Sequence, residues 1–408
     1  MTCMSADRWM LVALVAAAAG CGQTEHATPS DGGNEPACPF GIPCGTGCSD
    51  LSYDSQNCGQ CGHACEPGLT CIEGACSCSG TSLCGASCVD LRVDRHNCGA
   101  CGVLCGVTSP GEAPMCVAGQ CKSATIHAAG QAWPSAIALD SANIYWTDDA
   151  SGTVLKAPKS GGNPAVLASG QDGPWDVAVH KGTVYWVNRR AGGGPGPAVL
   201  GVDPNGGSVT TLLEGYNYWA IALVVGGSGL YVYGAGGILW VSFDGSATAD
   251  IATVDGWVSA QTVGLAIDST RVYWTTPPFH SPGPYTWPTT DLFSAALDGS
   301  DPQKLASTEF ETGGIGTDAT SVFWASRGLL EIAKVGGATH TLSKLHTSSG
   351  IAVDDAHVYF NADMIRRQAK TGDESVPLAT ALTNDLAVDE SRLYFSDSER
   401  GLILSVPK

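Results

Sequence analysis

The sequence predicts an all-β protein: a seven-bladed β-propeller preceded by two small disulfide-rich modules. Three observations carry that expectation. Paired runs of apolar, β-branched and aromatic residues recur seven times over the C-terminal two-thirds of the 408 residues. Gly- and Asn-rich turns separate the runs, and helical periodicity is nearly absent. Sixteen of the 18 cysteines crowd between residues 38 and 121.

Residues 1–21 read as an export signal. Arg8 precedes the apolar run 10–19, which is too short for a lasting membrane span. Ala18-Ala19-Gly20-Cys21 resembles the lipobox of bacterial lipoproteins. That resemblance implies that Cys21 is lipidated, becomes the mature N-terminus, and anchors the chain to the cell envelope, at the outer membrane or cell surface. Secretory cleavage in the same stretch is the rival reading. Residues 22–37 are polar, contain Gly and Pro and lack aromatics, as a flexible tether does.

The cysteines form two sets of eight. The first is Cys38, Cys44, Cys48, Cys58, Cys61, Cys65, Cys71 and Cys76, in repeat 38–76. The second is Cys78, Cys84, Cys88, Cys98, Cys101, Cys105, Cys116 and Cys121, in repeat 78–121. Their spacing and wording mark an internal duplication. Units of this size cannot bury enough apolar surface to fold alone, so four cross-links each are expected, with 105 pairings open. The wording Asn57-Cys58-Gly59 with Cys61-Gly62 and Cys65, and its copy from Asn97, resembles the Cys-rich module of plant stigma-specific secreted proteins. Zinc is the sharper alternative for Cys58, Cys61 and His63, but His63 becomes Val103 in the second copy. Asp50, Asp54, Asn57 and their counterparts Asp90, Asp94, Asn97 are expected to cap turns. Ca²⁺ is the one ion such oxygens could hold, and no cofactor is otherwise expected.

From residue 122 the repeat takes over. Ile137-Ala138-Leu139-Asp140 and Ile144-Tyr145-Trp146-Thr147-Asp148 flank a three-residue turn, and the same pairing returns from Val177, Ile221, Leu265, Ile315, Ile351 and Leu386. In six units the two runs start 7 residues apart; in the third the gap is 9. Nearly continuous apolar runs suit strands covered on both faces. Two further strands joined by turns such as Ser160-Gly161-Gly162-Asn163 complete each unit. Units of about 40 residues with four strands each make a propeller of 122–408. Seven blades is the count; six or eight follow if the third or fourth unit is misread. The last unit stops near its third strand, and Thr125–Gln131 matches the fourth strand of the first, Ala165–Gln171. The start of the domain is therefore expected to close its end. The Tyr145-Trp146-Thr147-Asp148 wording resembles the YWTD propeller family of lipoprotein receptors over roughly 123–408; that family has six blades.

The net charge of −19 leaves no basic stripe, which argues against nucleic acid. In antiparallel blades, the loops leaving strand two and strand four share one face. That face receives the long insertions 189–198 and 276–290. Candidate ligand-binding residues there are Trp133, Trp175, Trp219, Trp257, Phe279, His280, Tyr285 and Trp287, with Asp148, Asp363 and Asp397 at the ends of second strands. Each Trp could instead wedge between blades. No nucleophile elbow, zinc-protease motif or phosphate loop occurs, and the histidines share no repeat position. Asp140, Asp268, Asp318, Asp354 and Asp389 recur at one position, as turn caps do and a catalytic acid would not. No catalytic residue is assigned. The expectation is a monomeric, non-enzymatic binding or adhesion lipoprotein that recognises an extracellular protein, peptide or polysaccharide through one propeller face. The alternatives are a hydrolase or lyase with a metal in the central channel, and a purely structural envelope component.

Overall fold

The computed structural model describes residues 38, 41–45, 47–106, 109–189, 198–215, 220–234, 236–254, 264–276, 289–309, 313–347, 350–372, 374–383 and 385–408. Among them every regular element is a strand. Six four-stranded antiparallel sheets follow one another: blade one at 134–168, two at 174–214, three at 220–254, four at 265–309, five at 315–343 and six at 351–379. Blade seven takes three strands from 386–407 and its fourth from Gln120–Ala129. The closing register pairs Leu402 with Ala129, Ile403 with Ala128, Leu404 with Ile126 and Ser405 with Thr125. The expected closure and the count of seven both hold.

The aromatic second strands explain how the ring coheres. Successive side chains on a strand point to opposite faces. Tyr145 packs with blade two, whereas its neighbour Trp146 packs with blade seven. Tyr273 likewise faces blade five while Trp274 faces blade three, and Phe323 and Trp324 divide in the same way. Each second strand thus feeds two inter-blade cores, so it shows no polar face and no clean alternation. Among the described residues the propeller has seven thin cores, one per blade interface, rather than a single centre.

The compact units are Met1–Ser79 and Gly80–Lys408. From Gly80 on, the second Cys-rich repeat lies in the same compact unit as the propeller. Its strand Glu112–Val117 pairs with Gln120–Ala129, which runs on without a break into blade seven. Ala113, Met115 and Val117 share a buried core with Tyr359, Ile365, Leu386 and Phe395 of blades six and seven. In the first repeat the positions of Met115 and Val117 are exposed Thr70 and half-buried Ile72, so no equivalent apolar face exists there.

The pairings left open by the sequence are Cys38–Cys48, Cys44–Cys61, Cys58–Cys71 and Cys65–Cys76 in the first repeat. The second repeats them as Cys84–Cys101, Cys98–Cys116 and Cys105–Cys121, and Cys78 and Cys88 are disulfide-bonded too. Sulfurs with zinc-ligand spacing are therefore consumed in covalent bonds. Gly59 and Gly99 have positive φ, and a Cβ on either would meet a carbonyl at 2.5–2.6 Å, which ties the knot of each repeat to glycine.

Candidate functional site

The two faces of the wheel use their carboxylates differently. On the face of the strand one–two turns, each recurring Asp accepts N–H groups of its own turn: Asp268 from Thr270 and Arg271, Asp354 from Ala356 and His357. In four of the five the tyrosine five residues on donates its hydroxyl to the same carboxylate, as Tyr145 does to Asp140 at 2.6 Å; Asp318 has Phe323 there. The spacing does not reveal a third partner. A lysine at the end of the third strand of the next blade reaches back: Lys334 to Asp268, Lys370 to Asp318, Lys408 to Asp354 and Lys159 to Asp389, at 2.6–2.9 Å. Burial works to raise these carboxyls; the lysines and turn N–H groups outweigh it and hold all four below the usual range. The position is filled by Phe243 in blade three, which stacks on His180 of blade two at 4.7 Å, and by Pro204 in blade two, which leaves Asp140 without an ammonium. This face is a ring of inter-blade clasps.

The opposite face holds the candidate binding residues. Trp133 is 41% exposed. Trp175 is half-buried beneath the Arg189 guanidinium, 3.5 Å from its ring centre, and Arg189 pairs with Asp149 at 2.8 Å. Asp148 is buried, and its oxygens accept the N–H groups of Ala132, Trp133 and Ser151, so it shapes the loop that carries Trp133. Asp397 is buried against Arg400 at 2.6 Å. Asp363 keeps a third of its side chain exposed and meets Arg366 and Arg92. Trp219, Trp257, Phe279, His280, Tyr285 and Trp287, residues 190–197 and 277–288 of the long insertions, and Cys21 with the signal and tether, lie outside the described residues.

Asp363 and Asp397 come together in one groove of about 650 Å³. One wall is the second Cys-rich repeat, through Val93, Arg95, Pro114 and Met115. The other is the loops of blades six and seven, with Asn361, Leu382, Glu399 and Arg400. Leu382 is 55% exposed there. The sequence signalled the propeller wall but not the other, because cysteine spacing does not say what a knotted module leans on.

The central channel holds a second constellation. Asp176 and Asp385 occupy the position just before the innermost run; at the same strand register, in which Leu223 and not Ile221 aligns with Ile137, the other units have Ala136, Ala222, Gly264, Gly314 and Gly350. Asp176 accepts the N–H of Leu223 in blade three, and Asp385 that of Ile137 in blade one, so each bridges to the following blade. By area both keep some exposure, yet protein surrounds them on all sides, as in a narrow channel. Burial, joined by the charge of Asp385, pushes Asp176 up to about 7; burial pushes Asp385 up to about 6. Two carboxylates in such a channel could share a proton or a cation. Small residues in five units and acid in two was the available signal.

The oxygens considered for Ca²⁺ serve turns: Asp50 accepts Ser52 N–H, Asp54 accepts Gln56 N–H and Asn57 Nδ2, and Asp94 accepts His96 N–H. Asp90 is held by the Arg92 guanidinium.

No family profile matches the chain, and no curated protein sequence matches it. Solved structures match in fold. Virginiamycin B lyase from Staphylococcus aureus superposes with a TM-score of 0.56 at 11% identity, over 70% of this chain and 98% of that one. A streptogramin B lyase gives 0.54 at 12% identity, over 69% and 95%. At these identities the likeness is one of fold, and that fold is compatible with binding and with enzymatic roles.

Proposed function

We propose that the chain is an exported, lipid-anchored recognition protein that binds a peptide, protein or glycan on the propeller face of the Trp133 loop. The groove between the second Cys-rich repeat and blades six and seven carries this reading. It combines an exposed leucine, a rigid disulfide-braced wall and charged groups of both signs, so a largely polar groove has one apolar anchor and several groups that can orient a ligand. The clasp face is unsuited to the role, since its carboxylates already hold lysines. Multiple disulfides fit an oxidising, extracytoplasmic setting. The test is a glycan and peptide array probed with the full chain and with Leu382→Asp and Glu399→Arg. Ligands lost by both variants place binding in the groove; ligands kept by both remove it. Lipidation at Cys21 is tested by incorporation of labelled palmitate, which Cys21→Ser should abolish.

The channel pair favours a second reading, a hydrolase or lyase with a metal between Asp176 and Asp385. Calorimetric titration with Ca²⁺ and Mg²⁺ tests it: heat that disappears in Asp176→Asn supports the reading, and silence with both metals removes it.

A further inference from the structure

Blade five departs from its neighbours in two ways, while its outermost strand, His340–Ser343, has four residues, as do those of blades one and six. Its outer hairpin exposes Val335 to 96%, where the other hairpins carry Ser160, Asn205, Asp244, Asp298 and Thr371. In a chain with 20 basic and 39 acidic residues, 326–346 holds Arg327, Lys334 and Lys344 against Glu331 alone, with two exposed histidines.

The short strand leaves a cavity on each side of its sheet. In the register Leu330 lies opposite Thr341 and Glu331 opposite His340, so the two pairs face opposite ways. Leu330 and Thr341 line one cavity, about 380 Å³, with Arg327, Lys344 and Thr308 of blade four. Glu331 and His340 line the other, about 500 Å³. An edge strand flanked by pockets on both faces is what a strand-accepting site requires. Main-chain hydrogen bonds supply affinity, and alternate side chains enter alternate pockets.

We propose that the rim of blade five docks an extended acidic polypeptide segment, added as a further strand along His340–Ser343. An acidic side chain enters the pocket of Arg327 and Lys344. The following residue turns to the Glu331–His340 side, where the imidazole offers a polar partner. A segment of about six residues covers roughly 20 Å, enough to pass both cavities and end near Val335. The site is separate from the groove at blades six and seven and does not depend on it.

The test uses the full chain and fluorescein-labelled decapeptides in anisotropy titrations. The peptides are alternating Glu-Val, alternating Lys-Val, and Glu-Val with alternate amides N-methylated; polygalacturonate serves as competitor. The proposal expects saturable binding of the Glu-Val peptide that weakens with salt, loss of binding on N-methylation, and at least about a 5-fold weakening by Lys344→Glu, an exposed change that spares the fold. Hydrogen exchange at His340–Ser343 should slow with peptide bound. Equal binding of the Lys-Val peptide, indifference to N-methylation or to Lys344→Glu, or displacement by polygalacturonate at lower concentration than by peptide would overturn it.

Discussion

Lys334→Met isolates one inter-blade clasp. The change removes an ammonium 2.6 Å from Asp268, with side-chain exposures of 14% and 19%, and also lifts a cation from over the Tyr273 ring at 5.4 Å. Exposed pairs are worth about 0.2–1 kcal/mol, and breaking a fully buried pair costs about 3–5. With roughly a sixth of each side chain in solvent, this pair falls between, near 2 kcal/mol. Asp268 keeps its turn N–H groups and Tyr273 hydroxyl, which limits the damage. Unfolding entropy scales with length, so in a domain of this size the loss lowers Tm by about 3–4 °C. Urea unfolding of the wild type, Lys334→Met, Asp268→Asn and the double variant should give a coupling of about 1–2 kcal/mol. The folded carboxyl is depressed, so this contribution is present above its unfolded pKa of about 3.8 and fades as pH falls toward the folded value. A coupling below about 0.3 kcal/mol, or a loss no larger than that of exposed Lys122→Met, would refute the clasp.

Further predictions follow from the same geometry. Pro204→Lys supplies the missing ammonium to Asp140 and should raise stability by up to about 1 kcal/mol in urea titrations, with no gain in an Asp140→Asn background. Asp176 has a folded pKa raised to about 7, so its relative stability is fully present below about 3.8 and lost as pH rises through 7. Asp176→Asn should therefore be near neutral below about pH 3.8 and increasingly stabilising above it, on the order of 4 kcal/mol at pH 8, as read by melting across pH. Burial, with Arg392 beside it, lowers His127 to about 4, where it meets Ser405 at the closing seam. Its contribution is present above about 6.5 and lost as pH falls to 4, and His127→Gln should flatten that part of the stability profile. Met115→Asp puts a charge into the core shared with blades six and seven and should cost about 3 kcal/mol or more, seen as a lower urea midpoint.

Much of the architecture was legible from residue order alone. The blade count, the borrowed strand Thr125–Ala129, the turn-capping aspartates and the presence of disulfides all follow from local repetition, because a repeated strand pair can bury its two faces only against copies of itself. Neighbours in sequence could not reveal partners across the ring. Lys334 lies 66 residues from Asp268, and Lys159 lies 230 from Asp389, so the clasps appear only once the wheel is closed. The same holds for Asp176 and Asp385, whose shared channel is a product of closure. The second Cys-rich repeat reads as a copy of the first, yet Met115 and Val117 send it into the propeller's core, while Thr70 and Ile72 give its twin no such face. Apolar contact with a surface distant in sequence decided which repeat became a wall of the groove, and only the tertiary structure could specify that surface.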